Sequence, residues 1–519
     1  MIHRVLPLIL PILLLFLAAY LLISTGAFHW QDSAVRTTAS PAKRKVIILL
    51  VDSLIAESLE QLVRRHEVPA LAFLLQKGAY RRDMISSFPT MSVTIDSTLL
   101  TGTYADQHRI PGLLWFHPDE QRTVDYGDGL RVVWKPGPFQ WLSDSFYRLN
   151  QQHLSKQTPT LHEELAARGY TSASINGLLF RGPRTHHFGI KAVTSLKVQG
   201  PDLLALGGVA KITKQALPDG PFRSMGMNND YTAQSLIALV KEKRLPDVTL
   251  AYFPDMDGEL HKHGPASLEG VRKLDQQLQS ILNAFGSWEE ALDRHVFILT
   301  GDSGVTATHA SKEAALIDME QLLSGLSFYR LGTQKKPEND VAVAVNGRMS
   351  YVYALSERVS IQMFIDRLAP EKRIDLIAWK DQEWIHVLRD GKQLSYRTGG
   401  KELDEFNQRW ELRGDRDVLK LEARKEDGKW FSTAYPDGLR RLHSALHSHP
   451  GRFLICTALP GSEFAADGAP NHPGGGNHGS LDASDSFFPF AVATNGPIPE
   501  PPRRVVDVKA YILSLLTGT

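Results

Sequence analysis

The chain has 519 residues, too many for one simple core, and so fits one large α/β domain with insertions or two domains. Its 58 Lys and Arg balance 57 Asp and Glu, which removes any electrostatic reason to expect a nucleic-acid partner. The single cysteine, Cys456, excludes an intramolecular disulfide and a multi-cysteine zinc knuckle, and within Phe453-Leu454-Ile455-Cys456 it reads as a buried thiol rather than a nucleophile.

The first element is Val5 to Ile23, apolar apart from Pro7, Pro11 and Tyr20 and close to the length that crosses a bilayer. Residues 1–27 therefore read as a membrane anchor. A cleaved signal segment is the alternative, to which Ser24-Thr25-Gly26-Ala27 is only a loose match. Arg4 before the segment and Arg36, Lys43, Arg44 and Lys45 after it would by charge alone keep the domain inside. Long domains cross regardless of such charges, so a single-pass protein with its domain outside the cytoplasmic membrane is expected. Residues 28–44 are polar and read as a linker.

From Lys45 the pattern changes. Val46-Ile47-Ile48-Leu49-Leu50-Val51 is a continuous apolar run of the kind found in a parallel strand buried on both faces. Similar runs follow at Thr171 to Ile175, Val248 to Phe253, His295 to Thr300 and Phe453 to Thr457. Between them, helical periods occupy Leu59 to Arg65, Thr160 to Arg168, Asp230 to Lys241, Leu268 to Phe285 and Leu439 to Leu446. This alternation predicts an α/β fold with a mostly parallel sheet between helical layers. Residues 105–150 break it with Gly, Pro and aromatics, including Trp115, Phe116, Tyr126, Trp134, Trp141 and Tyr147, which either pack locally or cover a site. Residues 381–434 carry Asp390-Gly391, Gly399-Gly400 and Asp427-Gly428 turns and predict a small β-rich insertion between two parts of a catalytic domain, 45–380 and 435–519.

Five segments place an Asp, a His or a hydroxyl beside a turn that follows an apolar run. Asp52 follows the first strand, where the ligand crevice of an open α/β sheet lies. Asp257 and His261 are four residues apart, a spacing that lets both reach one ion from a helical turn, although Asp255 competes in the same loop. Asp302 follows the run Val296 to Thr300, and His478 follows Pro473-Gly474-Gly475-Gly476-Asn477, whose missing side chains permit close approach. Ser92 lies in the hydroxyl-rich Phe88 to Tyr104 segment, where Thr101-Gly102 reads as a helix closing on glycine. Each residue alone reads as a turn, cap or surface group. Together they suggest oxygen and imidazole ligands converging on metal from separate strand ends.

These segments resemble the alkaline phosphatase superfamily, in particular its type I phosphodiesterase/nucleotide pyrophosphatase branch, from about residue 45 to the C-terminus. Ser92 stands nine residues before Thr101-Gly102, as the nucleophile does in that branch, and Tyr104-Ala105-Asp106-Gln107-His108-Arg109-Ile110 is similar to its Tyr-x-x-x-His-Gly-Ile segment. The resemblance implies an alkaline phosphatase-like fold and two divalent ions, usually zinc. Asp257, His261 and His478 would hold one, and Asp52, Ser92 and Asp302 the other. It also implies a phosphate-ester substrate, a diester rather than a monoester, cleaved through a covalent phosphoryl-serine. Two positions depart from the pattern. Asp302-Ser303-Gly304 stands where the family has Asp-His-Gly, leaving His309 as a candidate substitute ligand, and Ile95 stands where the branch has an Asn. An envelope phospho-alcohol transferase and a catalytically impaired metal-binding ectodomain remain open as alternatives.

Overall fold

The computed structural model describes residues 44–127, 140, 143–188 and 196–517. The expected membrane segment, the linker up to residue 43, Trp134 and Trp141 lie outside the described residues. The chain starts at the centre of its main sheet. Strand β1 (Lys45–Val51) is almost wholly buried, and further strands of the same sheet, in chain order, are β2 (Gly78–Ile85), β3 (Ser172–Ile175), β4 (Leu203–Ala205), β5 (Val248–Phe253) and β6 (His295–Thr300). The chain then builds a second sheet from β7 (Val341–Asn346), β8 (Met349–Ala354), β9 (Ile374–Asp381), β10 (Trp384–Arg389), β11 (Lys392–Leu403), β12 (Arg409–Gly414) and β13 (Phe453–Ala458). It returns to the first with β14 (Phe487–Ala493).

The main sheet runs β2-β14-β6-β1-β5-β3-β4. β1 pairs in parallel with both β5 and β6, and β14 is antiparallel to β6 and β2, so the sheet is mixed and mostly parallel. Among the helices, in chain order, are α1 (Ala56–Arg64), α2 (Pro69–Gln76), α3 (Ser92–Thr101), α4 (Leu161–Ala167), α5 (Asn229–Lys241), α6 (Asp255–His263), α7 (Glu269–Asn283), α8 (Gly438–Leu446) and α9 (Val508–Thr517). Alternation along β1 divides them. Ile47, Leu49 and Val51 pack with α1, α2, α5, α6 and α7, whereas Val46, Ile48 and Leu50 pack with α3, α4 and α9. Both faces are thus covered, as the unbroken apolar run requires. The result is the expected α/β architecture, a mostly parallel sheet between helical layers.

One strand lies elsewhere than expected. Phe453–Ala458 forms at the predicted place, but between β8 and β9 in the second, fully antiparallel sheet, β7-β8-β13-β9-β10-β11-β12. An apolar run buried on both faces states its burial and not which sheet buries it. The β-rich stretch at 381–434 contributes β10, β11 and β12 to this larger sheet, which already begins at Val341. Residues 105–127 contribute a hairpin, Leu114–His117 with Arg122–Asp125, whose Trp115 and Tyr126 pack beneath the main sheet.

Candidate active site and metal centres

Three neighbouring parallel strands, β5, β1 and β6, end at the same edge and deliver three carboxylates: Asp257 from α6 after β5, Asp52 directly after β1, and Asp302 after β6. Helix α3 opens at Ser92, whose Oγ donates to Asp52 Oδ1 at 3.1 Å. The positive end of α3 therefore lies beside the hydroxyl. The helix closes as predicted, on Gly102 at φ +65°. Ser92 also lies near enough to Asp302 to favour its charged form, which places the hydroxyl between two carboxylates.

Asp257 and His261 lie one turn apart on α6, with His261 Nε2 at 3.2 Å from Asp257 Oδ1. His478 Nε2 is also 3.2 Å from that oxygen. Each ring is held from behind, His261 Nδ1 donating to the Gly476 carbonyl at 2.8 Å and His478 Nδ1 to the Thr90 carbonyl at 2.6 Å. Those bonds fix the tautomer and leave both Nε2 atoms facing the carboxylate, as metal-ligating histidines are held. The ligand atoms of the three residues lie within 4.8 Å of one another. Close approach here depends on glycine. A Cβ on Gly475 would stand 1.9 Å from the His261 carbonyl oxygen, so no larger residue lets the loop reach α6. Asp255, the competing carboxylate, is exposed and bonded to Asn229.

Ser53, at φ +58°, joins the two sets. Its amide donates to Asp302 Oδ1 and its hydroxyl to Asp257 Oδ1, both at 2.8 Å. Electrostatically the sets differ. Burial raises Asp257, but the imidazoles of His261 and His478 outweigh it and hold this carboxyl well below its usual range. Asp52 moves the other way, raised well above it by burial and by the charges of Asp302, Asp257 and Asp96. Burial likewise raises Asp302 despite the amide of Ser53. Burial and the charge of Asp302 raise Asp96 well above the usual range. Tyr252, kept protonated by burial and by Asp52, donates to Asp52 Oδ2.

The donor sets fit divalent cations. One offers a carboxylate and two oriented imidazoles, as zinc sites do. The other crowds buried like charges and leaves Asp302 Oδ2 with no hydrogen-bond partner, an arrangement that a cation would neutralise. The structure thus brings together Asp52, Ser92, Asp257, His261, Asp302 and His478. His309 is placed differently: it is exposed, its ring lies against Gly461, and it belongs to neither cluster of potential metal ligands among the described residues. The gap opposite Ser303 is therefore not closed by that histidine. Sequence reasoning missed Ser53, Tyr252 and Asp96. Of these Asp96 had a signal, a carboxylate one turn after Ser92 on a helix otherwise built of apolar and hydroxyl residues. It also missed His472, whose ring stacks on His261 with centroids 4.1 Å apart.

The family model for type I phosphodiesterase/nucleotide pyrophosphatase matches residues 46–481. No curated protein matches in sequence. A phosphonoacetate hydrolase from Sinorhizobium meliloti 1021, solved with phosphonoacetate, is similar in structure with TM-score 0.57 and 15% identity, over 92% of this chain and 96% of that one. Human ectonucleotide pyrophosphatase/phosphodiesterase 5 is similar with TM-score 0.53 and 14% identity, over 91% and 95%. An inactive murine form of the latter, solved with AMP, gives 0.54 and 13%, over 91% and 95%. Matched by the family model over most of its length, with that family's motifs gathered at one sheet edge, the chain belongs to the type I phosphodiesterase/nucleotide pyrophosphatase family.

Proposed function

We propose that this protein is a metal-dependent hydrolase of phosphate diesters in which Ser92 is the nucleophile. The observation that carries the reading is the position of Ser92 Oγ, at the N-terminus of α3, 3.1 Å from Asp52 and beside Asp302 and the Asp257–His261–His478 set. Divalent cations held by the two sets would lower the hydroxyl pKa and neutralise phosphoryl charge. The chain itself orients the nucleophile. Asp52 Oδ1 holds the hydroxyl hydrogen, Tyr252 holds the opposite carboxylate oxygen, and the N-terminal amides of α3 favour an anion in front of Ser92. Oγ, its proton passing to Asp52, attacks phosphorus and expels one ester oxygen, which takes up a proton and leaves as the alcohol, while Ser92 carries the remaining phosphoryl monoester. Water then displaces the Ser92 oxygen, returns its proton and releases the phosphate monoester. Structural neighbours solved with phosphonoacetate and with AMP support a phosphoryl or phosphonyl substrate.

On an aryl phosphodiester, Ser92→Ala is expected to lose turnover by roughly 10³-fold or more. A rate equal to the parent's would remove Ser92 from the role. Release of an alcohol-transfer product when glycerol is added, in place of free phosphate monoester, would favour the transferase alternative. Residues 1–27 are proposed as a single-pass anchor that holds the domain outside the cytoplasmic membrane, on the strength of the apolar Val5 to Ile23 segment. Protease added to intact cells should then cleave the domain, and full protection would contradict this placement.

A further inference from the structure

The hairpin Leu114–His117 with Arg122–Asp125 and the helical segment Ser143–His153 bring together a second group of metal-ligand type, built without any catalytic residue. His117 ends one strand of the hairpin, Glu120 stands in its turn, and His153 ends the helical segment. Glu120 Oε1 is 3.2 Å from His153 Nε2 and 4.0 Å from His117 Nε2. The ligand atoms of the three residues lie within 4.8 Å of one another, a spacing matched among the described residues only by Asp257, His261 and His478. Neighbouring ligand atoms in a tetrahedral zinc shell stand about 3.3 Å apart, so a small turn of the His117 ring completes the shell.

The two oxygens of Glu120 are divided. Oε2 takes Arg122 at 2.5 Å and Arg148 at 2.7 Å, while Oε1 faces the imidazoles. Both oxygens of Asp144 accept from Arg122, at 2.7 and 2.9 Å, and Asp144 lies 3.6 Å from Arg148. Two arginines thus answer two carboxylates, and their charge does not fall on Oε1 alone. Behind the rings, the Tyr126 hydroxyl lies 2.7 Å from His153 Nδ1, where it can take that proton and leave Nε2 facing Glu120. Trp115 backs both imidazoles, with its ring centroid 4.8 Å from that of His117 and 5.8 Å from that of His153. The Glu120 amide is 3.3 Å from His117 Nδ1, a long bond and the one contact that coordination through Nε2 gives up. His153 is buried and the other two are half-buried, which leaves an ion a path from solvent.

We propose that His117, Glu120 and His153 hold a further divalent cation, apart from the catalytic site, that clamps the hairpin to the helical segment. Two imidazoles and a carboxylate suit zinc, with water as the fourth ligand. The ion pairs of Arg122 with Asp144 and of Arg148 with Glu120 already cross the same junction, so the ligands are held near one another before an ion arrives. A clamp here acts on the layer that carries the nucleophile, because Trp115 and Tyr126 of the hairpin pack in one core with Val93, Ile95 and Leu99 of α3.

The test uses the full-length chain, stripped by chelator and dialysed against micromolar Zn2+, with metal content read by mass spectrometry. His117→Ala leaves the arginine pairs of Glu120 in place and should hold about one Zn2+ fewer per chain than the parent. Asp257→Ala should lose a different ion, so the double variant should lose both. A zinc count in His117→Ala equal to the parent's would overturn the proposal, as would a difference that emerges only at millimolar Zn2+. Should His117→Ala lose all its zinc, His117→Cys decides, because a thiolate also ligates zinc. Recovery of the metal in that variant would support the site, and continued loss would refute it. The count is read without turnover, so a protein that carries this ion and cleaves no phosphodiester would count against the function proposed above alone.

Discussion

Ser53 is a small residue with two attachments, its amide on Asp302 and its hydroxyl on Asp257. Cation binding at one carboxylate would therefore be coupled to binding at the other, and linkage makes that coupling equal in both directions. Ser53→Ala keeps the amide bond and removes the hydroxyl one, so zinc affinity at the Asp257 set should fall by about 10- to 100-fold, measured by competition with a chelating dye. A second residue-scale effect concerns acid. Asp437 and Asp485 are each raised by burial from 3.8 to about 6, the first against Arg504 and the second against Arg348. Between about pH 4 and 6 the folded chain then holds more protons at these groups than the unfolded one, so their contribution weakens as pH rises through that window. Asp437→Asn retains an oxygen acceptor and no longer titrates. In urea unfolding at pH 4 and pH 6.5, it should show a smaller loss of stability than the parent over that interval.

At the scale of elements, the site depends on the loop that carries His478 and on what that loop rests against. Arg348, buried at the start of β8, pairs with Asp482 and Asp485, while its amide donates to the His478 carbonyl at 2.7 Å. Asp485 in turn accepts from the Ser480 amide, and its own carbonyl accepts from Gly304 beside Asp302. Arg348→Ala would strand the buried carboxylate of Asp485 and the partly buried one of Asp482 and is expected to cost roughly 3–5 kcal/mol in denaturant unfolding. Gly475→Ala forces the loop off the His261 carbonyl and should lower zinc occupancy with a smaller loss of stability, about 1–3 kcal/mol. The loop's glycine run was legible in the sequence because close approach needs a missing side chain. Arg348 was not legible, because a buried cation is defined by partners more than a hundred residues away in the chain.

Across the whole molecule, the sequence disclosed the parallel half far better than the antiparallel half. β1, β5 and β6 are continuous apolar runs, and the candidate metal ligands follow them within a few residues, so strand ends and candidate ligands could be read together. The second sheet is built of strands no shorter but more alternating in burial, and β13, its most apolar one, looks like a member of the first. Ile95 and Ser303 were visible as departures from the family pattern, but the buried state of Asp96 needed the packing of α3 against β1.

The two halves meet at the first metal set. Asp257 and His261 ride on α6 of the parallel half, whereas His478 hangs from a loop pressed against the β7–β8 turn, where a Cβ on Gly347 would come within 2.2 Å of its carbonyl oxygen. A cation there would act as a clasp between the halves. At about 100 times its dissociation constant, free Zn2+ would add about 2.7 kcal/mol to stability, and scanning calorimetry should show the midpoint rise with zinc and fall with chelator. A clasp of this kind makes metal supply a determinant of lifetime as well as activity. In a zinc-poor medium the chain would unfold at a lower temperature and be cleaved faster by added protease.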